Sequence, residues 1–193
     1  MILPILKYGH PMLRQKGAKI DRATPEILTL VENMKETMRA AKGVGLAAQQ
    51  VGSALQLAIV DVRDITDRPS TLFMDGSPVE LDEFMPLVLI NPQVQPIGEP
   101  VAASEGCLSF PEIYSEIIRP ETVEVKATNE SGRRVQFRCG GLLARAIQHE
   151  VDHLNGILFI DRMGVLKKKE LKAELDELQA ETKARLEADT EDQ

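Results

Sequence analysis

The sequence of 193 residues contains no tryptophan, only 4% aromatic residues, two cysteines and three histidines. Two cysteines cannot form the disulfide framework of a small secreted domain. No apolar run reaches the roughly 18 residues that a membrane span needs, and the N-terminus lacks the apolar segment and small-residue cleavage site of a secretory signal. The hydrophobic content of 43% suffices for one core. The composition therefore predicts a globular, cytoplasmic protein.

Basic side chains are also fewer than acidic ones, 23 compared with 30, and the net charge is −7. A surface built to bind nucleic acid is typically basic. We therefore expect no direct nucleic-acid specificity and no membrane partner. Collagen-like, coiled-coil and wholly disordered chains are excluded by the same composition.

The order of predicted elements indicates an α+β fold. Thr24 followed by Pro25 predicts the start of a helix that ends near Gly43, and residues 55–62 predict a strand. A hairpin turns near residues 129–132, and Gly140-Gly141 ends its second strand before the next helix. We therefore expect short antiparallel sheets packed around a central helix of residues 142–156, with further helices at the N-terminal and C-terminal ends.

Two segments outside this core have no predicted catalytic role. Residues 66–86 are rich in proline and acidic side chains, which predicts an irregular loop or flap. Residues 166–193 predict a C-terminal helix with an acidic tail, packed through Leu166, Leu171, Leu175 and Leu178. We therefore divide the chain into a catalytic domain of residues 1–165 and a C-terminal appendage of residues 166–193.

His149, Glu150 and His153 form the pattern HExxH on the predicted central helix. Residues four apart lie on one face of a helix, so both imidazoles can bind one metal ion. Glu150 then lies beside the ion, where its carboxylate can act on a water molecule. The pattern therefore predicts a catalytic metal site.

Spacing alone does not identify the third metal ligand. Glu170 or Glu174 would complete the site of an HExxH zinc endopeptidase, since Phe159 stands where another protease pattern has its third histidine. Cys107, in the run EGCLS, would instead supply a thiolate. Cys139 is the weaker thiol, because strand alternation points it into the core. A non-catalytic metal-binding protein is the remaining alternative.

A further motif, GVGLAAQQ, occupies residues 43–50. It lacks the third glycine of a dinucleotide-binding loop and the lysine of a P-loop. Its small residues suit a packing segment after a helix, while its backbone N–H groups and glutamine amides can donate hydrogen bonds to an oxyanion.

The motifs GVGLAAQQ, EGCLSFPE and QHEVDHLNG, in this order, resemble the three signature motifs of bacterial-type peptide deformylases. The resemblance extends from the N-terminal arm, the residues that precede Thr24, to about Leu166. It implies that Cys107, His149 and His153 bind one divalent metal ion, Fe²⁺ in many members, which Ni²⁺, Co²⁺ or Zn²⁺ can replace. It also implies an enzyme that removes the N-formyl group from the N-terminal formylmethionine of newly synthesised proteins and releases formate.

The same resemblance implies roles for further residues. Hydroxide formed from water at the metal attacks the formyl carbon, with Glu150 as general base and then general acid. Gln50 and the Leu108 N–H are the implied oxyanion donors. The implied substrate-binding residues, along the peptide backbone and around the methionine side chain, are Val44, Gly45, Gly106, Leu142 and Ala146. Family context further suggests a transient ribosome contact through the C-terminal helix, at Lys167, Lys168 and Lys169.

Overall fold

The structure is a computed structural model, and it describes residues 1–191. The last two positions of the predicted acidic tail lie outside the described residues. The helices are α1 (Pro25–Ala40), α2 (Gly141–Leu154), α3 (Val165–Glu170) and α4 (Lys172–Glu191). The strands are β1 (Gly45–Ala47), β2 (Leu57–Val60), β3 (Ser70–Met74), β4 (Ser77–Pro78), β5 (Leu87–Pro96), β6 (Pro100–Cys107), β7 (Phe110–Pro120), β8 (Thr122–Thr128) and β9 (Arg134–Gly140).

Seven strands form one antiparallel sheet in the order β1-β2-β5-β8-β9-β3-β4, and β6 pairs with β7 in a separate ribbon. Strand β2 explains how both faces of the large sheet are covered. Leu57 and Ile59 pack in the cluster that contains α1 residues, whereas Val60 packs with residues of α2. Since successive side chains of a strand point to opposite faces, α1 and α2 lie on opposite sides of this sheet.

Helix α1 begins where the sequence predicts it. The Thr24 side chain accepts a hydrogen bond from the Ile27 N–H, and Pro25 takes the first helical position. The helix ends at Ala40, three residues before Gly43, because Lys42 adopts a left-handed conformation with φ of 54°. The Gly43 N–H then bonds to the Met38 carbonyl and closes the end of the helix.

The predicted hairpin and central helix are both present. Strands β8 and β9 pair from Thr122–Gly140 to Thr128–Arg134, and α2 follows directly. The helix contacts the large sheet through β1, β2 and β3 and the ribbon through β7. It is therefore central, and most of its residues are buried. The α+β prediction is confirmed.

The prediction of an irregular loop over residues 66–86 was wrong. This segment holds the hairpin β3–β4, and β3 extends the large sheet by pairing with β9, with Leu72 opposite Cys139. The apolar run of Leu72, Phe73 and Met74 is short, and the acidic residues and prolines on both sides concealed it in a composition window. Leu72 is buried in the cluster between the large sheet and α2, which we call the main core.

The C-terminal region consists of two helical segments, α3 and α4, instead of one. Leu171 stands between them, and it packs with Leu175 in a buried cluster that includes Leu13 and Phe110. Leu178 is partly buried there, whereas Leu166 is 79% exposed. Leu171, Leu175 and Leu178 thus pack the C-terminal helices against the rest of the protein, whereas Leu166 does not take part in this packing. The division of the chain at residue 165 stays a prediction.

No helix within the described part of the chain has an apolar stretch long enough to cross a membrane.

Candidate metal centre

Three side chains from two elements meet beside α2. Cys107 is the last residue of β6, and His149 and His153 lie one turn apart on the helix. One ligand atom from each lies within 4.8 Å of the others, and Cys107 Sγ is 3.3 Å from His153 Nε2. Among residues 1–191 this is the one such group of three metal-binding side chains.

These residues fit a divalent metal ion. The His149 Nδ1 atom contacts a Glu105 oxygen at 3.1 Å, so Nε2 is the ring atom that can bind a metal ion. The buried Nδ1 atom of His153 has no hydrogen-bond partner. One thiolate and two imidazoles suit a borderline divalent cation, and three protein ligands leave a fourth position for a small molecule.

The other candidates for the third ligand do not meet these histidines. Cys139 is completely buried in the main core, as strand alternation predicted, and burial raises the pKa of its thiol to about 12. Glu170 is exposed and pairs with Lys167, and Glu174 is exposed on α4. Within the described residues neither carboxylate belongs to the cluster.

Glu150 lies beside the histidines in a buried environment. Its side chain is part of the cleft wall, and its Oε2 atom has no hydrogen-bond partner. Burial raises the pKa of this carboxyl to about 7, although the neighbouring His149 opposes the shift. A carboxyl with a pKa near neutrality can both accept and donate a proton. Gly45 faces it, and a Cβ atom at that position would overlap the Glu150 carboxylate.

The histidine pKa values follow from the same burial. Burial and the nearby His149 lower the pKa of His153 well below its usual value. For His149, burial also opposes protonation, but hydrogen bonds to Cys107 and Glu105 raise its pKa well above the usual value. A neutral imidazole is the form that binds a metal ion, and burial favours that form at His153.

A buried ion-pair network lies behind the ligands. Arg119 donates to both Glu105 oxygens, at 2.7 and 3.1 Å, and to Asp152 Oδ2 at 2.8 Å. Arg145 donates to Glu105 at 2.7 Å, and Arg162 donates to Asp152 at 2.7 Å. Burial opposes ionisation of Glu105, but hydrogen bonds from His149 and Arg119 lower its pKa to about 2. Glu105 thus stays charged and orients the His149 ring.

Sequence reasoning did not assign roles to these network residues. The signal available for Arg119 was its position two residues after Ile117 on one strand, which puts both on the buried face of β7. An arginine on a buried face needs a carboxylate partner, but the sequence does not tell which one.

The two glutamines of GVGLAAQQ have different surroundings. Gln50 Nε2 lies 3.6 Å from Cys107 Sγ and 3.2 Å from Ser109 Oγ, while its Oε1 atom accepts from the Ala47 N–H. Gln49 instead contacts the Leu154 carbonyl on the far side of the motif. Of the two, Gln50 alone reaches Cys107.

A cleft of about 470 Å³ opens in front of these groups. All five residues expected at the substrate, Val44, Gly45, Gly106, Leu142 and Ala146, line it, together with Gln50, Cys107, Leu108, His149 and Glu150. His153 is not among the lining residues. Lys7, Arg68 and Tyr114 also line the cleft, and sequence reasoning missed them. Tyr114 packs on Gly106, where a Cβ atom would lie 2.6 Å from a ring carbon.

Comparison with known proteins decides the family. The family model described as polypeptide deformylase matches residues 2–169. The chain belongs to this family. A peptide deformylase of Methylacidiphilum infernorum is 46% identical over 178 residues, which cover 92% of this chain and 93% of that protein.

Solved structures of the same family agree with the fold. A peptide deformylase of Synechococcus elongatus, in complex with actinonin, superimposes with a TM-score of 0.75 and 38% identity, covering 89% of this chain and 85% of that one. The peptide deformylase of Legionella pneumophila gives a TM-score of 0.76 at 32% identity, covering 97% of this chain and 98% of that one. Membership of the deformylase family disfavours the endopeptidase alternative.

Proposed function

We propose that this chain is a metal-dependent hydrolase that removes the N-formyl group from the N-terminal formylmethionine of newly synthesised proteins and releases formate. The observation that carries the proposal is the convergence of Cys107, His149 and His153 beside the buried carboxyl of Glu150, in a cluster of which Cys107, His149 and Glu150 line the cleft. Family membership supports the same activity.

In this proposal Cys107, His149 and His153 hold one divalent metal ion, Fe²⁺ in the cell, and Ni²⁺, Co²⁺ or Zn²⁺ can take its place. A divalent ion in such a site lowers the pKa of water and polarises a carbonyl oxygen. The thiolate ligand needs a reducing compartment to stay free of oxidation, which supports a cytoplasmic enzyme. Metal analysis of anaerobically purified protein tests the identity of the ion.

Glu150 takes a proton from the attacking water and later donates one to the departing amine. Its buried position and its pKa of about 7 support both steps. The Gln50 amide and the Leu108 N–H donate hydrogen bonds to the oxygen of the formyl group as negative charge develops there. Both groups line the cleft next to Cys107.

The peptide lies extended along Val44, Gly45 and Gly106, in the manner of an added strand. Both glycines line the cleft, and the space that a side chain would take at each is filled by Glu150 and Tyr114. The methionine side chain enters the apolar part of the cleft between Val44, Leu142 and Ala146. An unbranched thioether adapts well to such a surface.

Formate release from formyl-Met-Ala-Ser by nickel-loaded protein tests the function. Glu150→Ala is expected to retain the metal and to lose turnover by about 10²–10⁴-fold, whereas Cys107→Ala is expected to lose the metal. Glu99→Ala, which removes an exposed surface carboxylate, is the matched control and is expected to retain full activity. Cleavage of an internal peptide bond without formate release would contradict the proposal.

We also propose a transient ribosome contact through the C-terminal helices. Lys167, Lys168 and Lys169 are all exposed, next to the exposed apolar side chains of Val165 and Leu166. A basic surface of this kind is attracted to ribosomal phosphates. Cosedimentation with ribosomes at low salt, compared with a variant in which the three lysines are changed to glutamine, tests the contact; equal binding of both proteins would contradict it.

A further inference from the structure

The N-terminal arm binds both segments that carry the proposed oxyanion donors. The Leu6 N–H donates to the Gln50 carbonyl at 2.8 Å, and the Tyr8 N–H donates to the Ser109 carbonyl at 2.9 Å. Between them, Lys7 Nζ donates to the Leu108 carbonyl at 2.7 Å. Three consecutive residues of the arm therefore hold one side of the site.

Lys7 is an unusual choice for this position. Its side chain is half-buried in the cleft wall, and its ammonium group donates to a neutral carbonyl instead of a carboxylate. Burial lowers the pKa of Lys7, and its electrostatic interaction with Cys107 opposes the shift. Ordering a lysine side chain costs conformational entropy, to which desolvation of the charge adds. The backbone bonds of Leu6 and Tyr8 already attach the arm, so Lys7 is not needed for that purpose.

Within residues 1–191, the Lys7 ammonium group forms its hydrogen bond to the site at the Leu108 carbonyl. Leu108 and Ser109 form the turn between β6 and β7, and the Leu108 N–H is the proposed oxyanion donor. A bond to the Leu108 carbonyl restricts rotation within this residue, and thereby the direction of its N–H. The second donor depends on the same turn, because Gln50 Nε2 donates to Ser109 Oγ at 3.2 Å.

We infer that Lys7 is a positioning residue of the deformylase reaction. By binding the Leu108 carbonyl, its ammonium group fixes the β6–β7 turn so that the Leu108 N–H points to the place where the oxyanion forms. The inference rests on the proposed function for its catalytic consequence, whereas the order of the turn is a property of the protein itself.

Three variants test this role. Lys7→Met keeps the length and apolar stem but removes the donor, Lys7→Arg restores a donor, and Lys19→Met removes an exposed lysine of the same N-terminal segment as a control. Complete loss of an oxyanion donor costs about 10²–10³-fold in rate. A misdirected donor should cost less, so we expect Lys7→Met to lower kcat for formyl-Met-Ala-Ser by about 10–100-fold. We expect KM and nickel content to stay close to wild type, and Lys7→Arg to recover most of the loss.

Hydrogen exchange in the metal-free proteins gives a second readout. We expect the Tyr8 amide, which donates to the Ser109 carbonyl of this turn at 2.9 Å, to exchange at least about tenfold faster in Lys7→Met, and unchanged in Lys19→Met, because the turn separates from the N-terminal arm more often without the Lys7 bond. A kcat within twofold of wild type, or unchanged exchange at Tyr8, would overturn the inference. A fall in kcat that Lys7→Arg does not reverse would also overturn it. If the wild-type protein released no formate, the proposed function would fail, and the exchange result alone would decide whether Lys7 orders the turn.

Discussion

Replacing Arg119 by methionine should destabilise the protein through the buried ion-pair network. Arg119 is 4% exposed and donates three hydrogen bonds to two carboxylates. Removing one partner of a buried ion pair typically costs about 3–5 kcal/mol. The lower end applies here, because Glu105 keeps Arg145 and His149, and Asp152 keeps Arg162. We therefore expect a loss of about 3 kcal/mol.

For a domain of this size, about 1 kcal/mol shifts Tm by about 2–4 °C, so Arg119→Met should lower Tm by about 6–12 °C. Thermal unfolding of the metal-free protein is the appropriate assay, because a bound ion would add its own stabilisation. Arg138→Met is the matched control. Its pair with Glu124 has side chains that are 56% and 36% exposed, and surface pairs contribute about 0–1 kcal/mol. Equal Tm shifts for both variants would refute the assigned strength of the network.

Two further changes follow from the geometry around the ligands. Gly45→Ala should displace the Glu150 carboxylate and reduce formate release by about 10²-fold or more, with the metal retained. Gly164→Ala is the control and should leave the rate unchanged, because a Cβ atom at Gly164 meets nothing within 4 Å. Similar rates for both variants would count against the packing of Gly45 on Glu150. Because burial raises the pKa of Cys139 to about 12, Ellman's reagent at pH 8 should titrate one thiol in the metal-free native protein, none in Cys107→Ser and both after unfolding of the wild type. Two fast thiols in the native wild type would show that Cys139 is accessible.

Local signals in the sequence predicted those parts of the fold that depend on neighbouring residues. Thr24 and Pro25 mark the start of α1 because capping involves only the first turn. The i,i+4 spacing of His149 and His153 places both imidazoles on one face of α2 for the same reason. Their partner Cys107 entered through the motif resemblance, since spacing alone did not separate it from Glu170 or Glu174.

The β6–β7 ribbon was missed because its hydrophobic pattern is mixed. On β7 the buried positions include Ser115 and Arg119, whereas Tyr114 and Ile118 are 65% and 67% exposed. A strand whose polar side chains face inward does not show the simple alternation on which strand prediction relies. The buried ion-pair network was missed on the same ground, since its carboxylates and arginines meet only after the ribbon packs on α2.

The position of Cys107 on the ribbon has a mechanical consequence. The ribbon joins the large sheet through residues 97–99 and Glu121, both at the Pro100–Pro120 end. Cys107 lies at the opposite tip, roughly 23 Å along the strand. Hydrogen bonds from Lys7, Tyr8 and Gln50 already hold the turn at this tip. A metal ion shared by Cys107 and α2 would add a direct cross-link between the tip of the ribbon and the helix. Oxidation of Cys107 would then remove a metal ligand and this cross-link together, on the side of the cleft along which the formyl peptide is proposed to lie.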